Sequence, residues 1–344
     1  MNKGRIDTHH HLLTAQYVEE LSKVGVVQSG GIPFPRWQPE DSLAVMDRYG
    51  IQMALLSVSS PGLCFGNDTT TRIVGRALNE FAAQSMTRWP DRLGFFATLP
   101  LPNVDDALAE IAYALDTLHA DGIGLLSNYA GIYLGDSRFD AVFAELDRRA
   151  AVVFIHPTVF TSSEIPSARN AGSPIPTMPG FMLEFIFDTT RAVASLVISG
   201  TLKRYPHMRF ILSHAGGTIP FVANKIVSGV MVTALARPGA TDITTPPSPE
   251  VMGKVIQTAH EETFAQLQSL YYDTALSANV NALSSLQQLV PASHILLGTD
   301  YPFAPEAETP SNLKGIETYA GFSQQEREDI ERNNALRLFP RLQR

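Results

Sequence analysis

Cysteine is nearly absent. Cys64 is the one among 344 residues, so no intrachain disulfide can form and an oxidising compartment is not required. Long apolar runs are absent too. No stretch reaches the ~18 apolar residues of a membrane span, and the opening MNKGRIDTHHH lacks the apolar core of a signal peptide. A cytoplasmic protein without membrane contact is expected. Nor is there an excess of positive charge: 26 Lys and Arg stand against 34 Asp and Glu, a net charge of −8. Nucleic-acid binders need a basic surface to neutralise phosphates, so such a partner is not expected. An anionic small molecule is still allowed, because a few local arginines can dominate a pocket. Internal repeats and low-complexity tracts are also missing.

What the sequence does contain is alternation. Short apolar runs fall at 4–9, 51–58, 92–99, 122–127, 152–156, 209–214, 269–273 and 294–299. Segments of helical period lie between most of them, among them 40–49, 70–88, 104–119 and 137–149. Asp41, Asp105 and Asp106 fall in first turns, where carboxylates suit the helix dipole. Alternating strands and helices are the mark of parallel βα units. Eight of them predict an α/β fold, a single (β/α)8 TIM-type barrel over residues 1–344, with 44% hydrophobic residues to fill its core. An open doubly wound sheet is the competing architecture, but it normally stops at fewer strands. Two long loops, 157–180 and 237–250, are rich in Pro, Gly, Ser or Thr. The first follows the fifth strand and so belongs to the face where barrel enzymes place their chemistry.

The polar residues at strand ends carry the chemistry. Residues two apart share a strand face, so His9 and His11 can point together into the barrel while His10 points away. Two neutral imidazoles on one face make a partial metal site. His156 closes the fifth apolar run and precedes Pro157. His214 closes the sixth and precedes Ala215-Gly216-Gly217. Asp300 closes the eighth and precedes Tyr301-Pro302. A closed parallel barrel brings all these ends to one mouth. Asp7 is expected on the face opposite His9, as a backbone or ligand-supporting partner. Asp273, at the end of the seventh strand, could orient a ligand or make a simple structural hydrogen bond. His119, His207, His260 and His294 read as surface or structural residues.

The I-D-x-H-x-H opening, the His156-Pro157 pair, Ser213-His214-Ala215-Gly216-Gly217 and Gly298-Thr299-Asp300-Tyr301-Pro302 together resemble the amidohydrolase superfamily. The resemblance is to the branch containing aminocarboxymuconate semialdehyde, γ-resorcylate and 6-methylsalicylate decarboxylases, and it covers nearly the whole chain. It implies His9, His11, His156 and Asp300 as ligands of one divalent metal, with His214 and Asp300 as proton-handling groups. Dinuclear relatives use a modified lysine at the end of strand four, and no lysine stands in 122–128 here. Three nitrogens and one carboxylate suit zinc best, with manganese as the alternative.

The same resemblance implies non-oxidative decarboxylation of an aromatic, hydroxybenzoate-type or unsaturated carboxylic acid. A metal-dependent hydrolase of the same fold, acting on a lactone or amide, is the alternative. Arg36 and Trp37 resemble a substrate-binding pair. Arg237, before Pro238, resembles an arginine that reaches into a neighbouring subunit's site, which implies a homodimer or larger homo-oligomer. Phe34, Phe181, Phe187 and Phe303 are candidate pocket walls. Arg191 is expected on the surface or in an ion pair.

Overall fold

A computed structural model describes residues 4–158, 178–235 and 248–343. All eight expected strands form: β1 (Arg5–His11), β2 (Ile51–Ser57), β3 (Leu93–Thr98), β4 (Gly122–Leu126), β5 (Val152–His156), β6 (Arg209–Leu212), β7 (Tyr271–Asp273) and β8 (Ile295–Leu296). They pair in parallel and in chain order as one sheet. The sheet closes on itself: Thr8 N–H donates to the Leu297 carbonyl at 2.9 Å, and His11 N–H to the Tyr301 carbonyl at 2.8 Å. The competing open sheet is therefore excluded, and the strand ends converge on one mouth as the barrel requires.

Local chemistry explains the elements. Helix Pro39–Tyr49 starts where the Gln38 N–H donates to the Asp41 carboxylate at 3.0 Å. Helix Val104–Ala112 starts where the Asn103 side chain accepts from the Asp106 N–H at 3.0 Å. Each cap satisfies a donor that the first helical turn leaves orphaned. Strands β6 and β8 stop short of the expected 214 and 299. His214 (φ 53°) and Asp300 (φ 64°) adopt left-handed backbone that no strand can continue.

The barrel's lower interior is apolar. Ile6, Met53, Leu55, Phe96, Val152, Phe154, Ile211 and Leu296 cluster there with Phe339 and Leu342 of the C-terminal segment, which stopper that end. Phe96 and Phe154 stack at 5.3 Å. Strict alternation from Ile6 would send residues 8 and 10 inward. A register shift between Asp7 and His10 changes the phase of β1, as bulges do beside active sites. His9 and His11 then point inward. His10 turns out, its Nδ1 2.8 Å from Asp7 and its Nε2 2.8 Å from Ser42. Asp7 thus faces away from His9, as expected, because of the bulge. Most of the two expected long loops, with Arg237, lies outside the described residues.

Candidate metal centre

His9, His11, His156 and Asp300 meet at the mouth. One ligand atom from each lies within 4.8 Å of the others, and all four residues are buried. His9 Nε2 is 3.0 Å from His11 Nε2. The Asp300 Oδ1 is 3.2 Å from the first and 2.9 Å from the second. Among the described residues this is the one such group of His, Cys, Asp and Glu side chains.

The opposite ring nitrogens decide which way the lone pairs face. His9 Nδ1 is 2.7 Å from Asp273 Oδ2. His11 Nδ1 is 2.9 Å from Ser57 Oγ, and His156 Nδ1 is 2.8 Å from the Pro157 carbonyl. With Nδ1–H donating outward, each Nε2 presents a lone pair to the centre, the arrangement that ligating histidines need. Asp273 also accepts from the His214 and Ala275 N–H groups, at 2.9 Å each. It therefore both orients a candidate ligand and holds the turn carrying His214. Asp7 ties the first strand to the segment after the last, accepting from the His9 and Thr299 N–H groups at 3.1 Å each. Gly298 is needed here: a Cβ would stand 2.7 Å from His9 Cβ.

Electrostatics fit a cation. Burial disfavours charge on His9, yet the carboxylates of Asp273 and Asp300 outweigh it and carry its pKa up to about 10. Burial pulls His11 below its ordinary value, and it pulls His156 well below, assisted by the neighbouring imidazoles. Burial would raise Asp300, but His9 and His11 hold its carboxyl well below the usual range. Two buried carboxylates thus demand positive charge at this point, and three imidazole nitrogens with one carboxylate oxygen match a divalent ion.

A cavity of about 560 Å³ opens above the cluster. His156, Asp300 and His214 face it, whereas His9 and His11 lie beneath. His214 stands beside the cluster, its ring 5.0 Å from that of His9, and its Nδ1 is 3.1 Å from the Ala275 carbonyl. The walls are apolar: Ile32, Phe181, Met182, Phe185, Ile186 and Phe303 contribute. Of the described lining residues none is Arg or Lys.

The expected substrate contacts divide. Phe303 lines the cavity, its ring 5.5 Å from His11, and Phe181 lines it too. Arg36 and Trp37 do not. Trp37 is buried in the core, its indole N–H donating to Ser42 Oγ at 2.8 Å, and Arg36 is exposed. The indole's partner Ser42 belongs to helix Pro39–Tyr49 and not to the cavity lining. Phe34 packs on the core and Phe187 is exposed, both outside the lining. Arg191 stands 3.8 Å from Asp188, an ion pair as expected. Sequence reasoning missed Phe185 and Ile186, which helix Glu184–Ile198 brings in. It also missed Ser59, whose signal was present: a polar residue just past a strand end, next to a proline turn at Ser60-Pro61.

A closed parallel barrel with a buried three-histidine, one-aspartate centre at its C-terminal mouth defines a class of metal-dependent enzymes. The chain belongs to the amidohydrolase family, whose pattern matches residues 6–341. It is 34% identical to the 6-methylsalicylic acid decarboxylase of Aspergillus aculeatus, over 99% of this chain and 97% of that protein. Among solved structures, an amidohydrolase II superposes with a TM-score of 0.83 at 26% identity, covering 98% of this chain and 99% of that one. The dihydroxybenzoic acid decarboxylase of Polaromonas sp. JS666, solved with manganese and 2-nitroresorcinol, superposes with a TM-score of 0.74 at 20% identity, covering 100% and 98%. The family resemblance read from the motifs is borne out.

Proposed function

We propose that the protein is a metal-dependent, non-oxidative decarboxylase of an aromatic acid bearing a hydroxyl beside its carboxylate, of the 6-methylsalicylate type. The observation that carries this reading is the His/Asp cluster opening directly into an apolar, phenylalanine-walled cavity. The relative from Aspergillus aculeatus, alike over nearly its whole length, supports the substrate type. His9, His11, His156 and Asp300 hold one divalent ion. Zinc suits the donor set, and manganese is the alternative by analogy with the Polaromonas enzyme. Such an ion supplies a Lewis acid for the carboxylate and hydroxyl oxygens.

The protein's own groups do the rest. Phe181, Phe185 and Phe303 hold the ring and exclude water. The ring carbon bearing the carboxylate takes a proton. The bond to the carboxylate then breaks, its electron pair restores the aromatic ring, and carbon dioxide leaves. His214 and Asp300 both face the cavity, and we assign the proton to His214. Its Nδ1 lies 3.1 Å from the Ala275 carbonyl, which occupies that nitrogen and leaves Nε2 as the ring atom available to the substrate. Asp300 is already committed to the cluster. The reading includes a cytoplasmic homodimer in which Arg237 reaches the neighbour's cavity. It is supported by the lack of a described basic side chain among the cavity's own lining.

Purified, metal-loaded protein given a panel of hydroxybenzoates should release carbon dioxide without oxygen or an added organic cofactor. From 6-methylsalicylate the second product is 3-methylphenol. Opening of a lactone panel, with no carbon dioxide from any acid, would sink this reading in favour of the hydrolase.

A further inference from the structure

The hydroxyl of Ser59 has an unusual place. Ser59 follows β2, is 4% exposed and lines the cavity. Its Oγ lies 3.5 Å from His156 Nε2, the lone pair that faces the cluster. The segment carrying it is held firmly on both sides. Ser60 Oγ is 2.9 Å from Thr158 Oγ1, and the Gly62 N–H donates to the Ser59 carbonyl at 2.9 Å. These bonds anchor the turn that carries Ser59. The remaining polar side chains of the described lining that lie outside the cluster and His214 are Ser29, Ser277 and Glu308, and none has a hydrogen bond to a cluster atom.

We infer that Ser59 is a substrate-binding residue that donates its hydroxyl proton to the carboxylate of the bound aromatic acid. The inference rests on the decarboxylase reading above. Once His156 Nε2 is committed to a cation, the Ser59 proton loses that acceptor and must find another. A buried hydroxyl without a partner is costly, and the cavity is the space the side chain faces. The group that belongs beside the cluster is the anionic end of the substrate. A neutral donor suits this reaction, because the carboxylate loses its charge on the way to carbon dioxide.

The test uses manganese-loaded wild type, Ser59→Ala and Ser59→Thr, and two non-reacting probes. In 3-methyl-2-nitrophenol a nitro group replaces the carboxylate and cannot leave. In 3-methylphenol that group is missing. Ser59→Ala should weaken the nitro probe about five- to tenfold, as loss of one hydrogen bond does. It should leave 3-methylphenol within about twofold, and metal content per chain unchanged. Ser59→Thr should restore the nitro probe. Equal affinity of wild type and Ser59→Ala for the nitro probe overturns the inference. Equal weakening of both probes, loss of metal in Ser59→Ala, or no binding of the nitro probe to wild type does so too. If the nitro probe behaves as expected but wild type releases no carbon dioxide from any acid, the decarboxylase reading fails and the Ser59 contact to the group at that position stands.

Discussion

The two ends of the barrel interior are built by the same strands to opposite purposes. At the bottom, Phe96, Phe154 and Leu296 cluster with Phe339 and Leu342 as apolar packing. At the mouth, two residues further along β5, the inward position is His156 instead of Phe154. There the backbone is strained at His214 and Asp300, and two carboxylates are buried beside imidazoles. Burial without charge stabilises the chain whatever is bound. Buried charge costs stability unless a cation compensates it. The bottom therefore carries the fold and the mouth carries the chemistry.

Substitutions at the two ends should separate these contributions. The largest effect is expected at Asp300. Asp300→Ala, which removes a ligand, should cut turnover by more than about a hundredfold and lower bound metal together with it. A chelator should lower the melting temperature of wild type and leave this variant unmoved, because an ion that binds only the native state stabilises it by mass action. Full activity in Asp300→Ala would remove it from the centre. Next comes the bottom. Phe339 is 2% exposed, and Phe339→Ala should cost about 3–5 kcal/mol in denaturant unfolding while metal content and KM stay as in wild type. A shift in metal affinity instead would mean that the two ends are coupled. The smallest change lies between them, at Asp273, which orients His9 and holds the His214 turn. Asp273→Asn should weaken metal binding about 10- to 100-fold, read by competition with a chelating dye. Unchanged affinity would leave Asp273 as a purely structural hydrogen-bonding residue.

Most of the architecture was legible because it is local. A strand's apolar run, a helix's period and first-turn carboxylates such as Asp41 and Asp106 are set by residues within a few positions of one another. The convergence of His9, His11, His156 and Asp300 was legible for the same reason. Each marks the end of an apolar run, and a closed barrel has one mouth for all such ends. The cavity walls were not, since Phe185 and Ile186 come from the start of a helix whose direction no local pattern sets. Trp37 misled because an aromatic beside a mouth loop can be drawn to either side, and its indole N–H found Ser42.

The sequence by itself determined the number and order of the strands, the polar residues at their ends and the chemical type of the donor set, because periodicity and residue chemistry are properties of the chain. Only the tertiary structure decided the phase of β1. Strict alternation from Ile6 would have turned His9 and His11 away from the interior, and the bulge between Asp7 and His10 returns them. That bulge is held by Asp7 against Thr299, 292 residues away in the chain. A contact of that separation exists only once the barrel has closed.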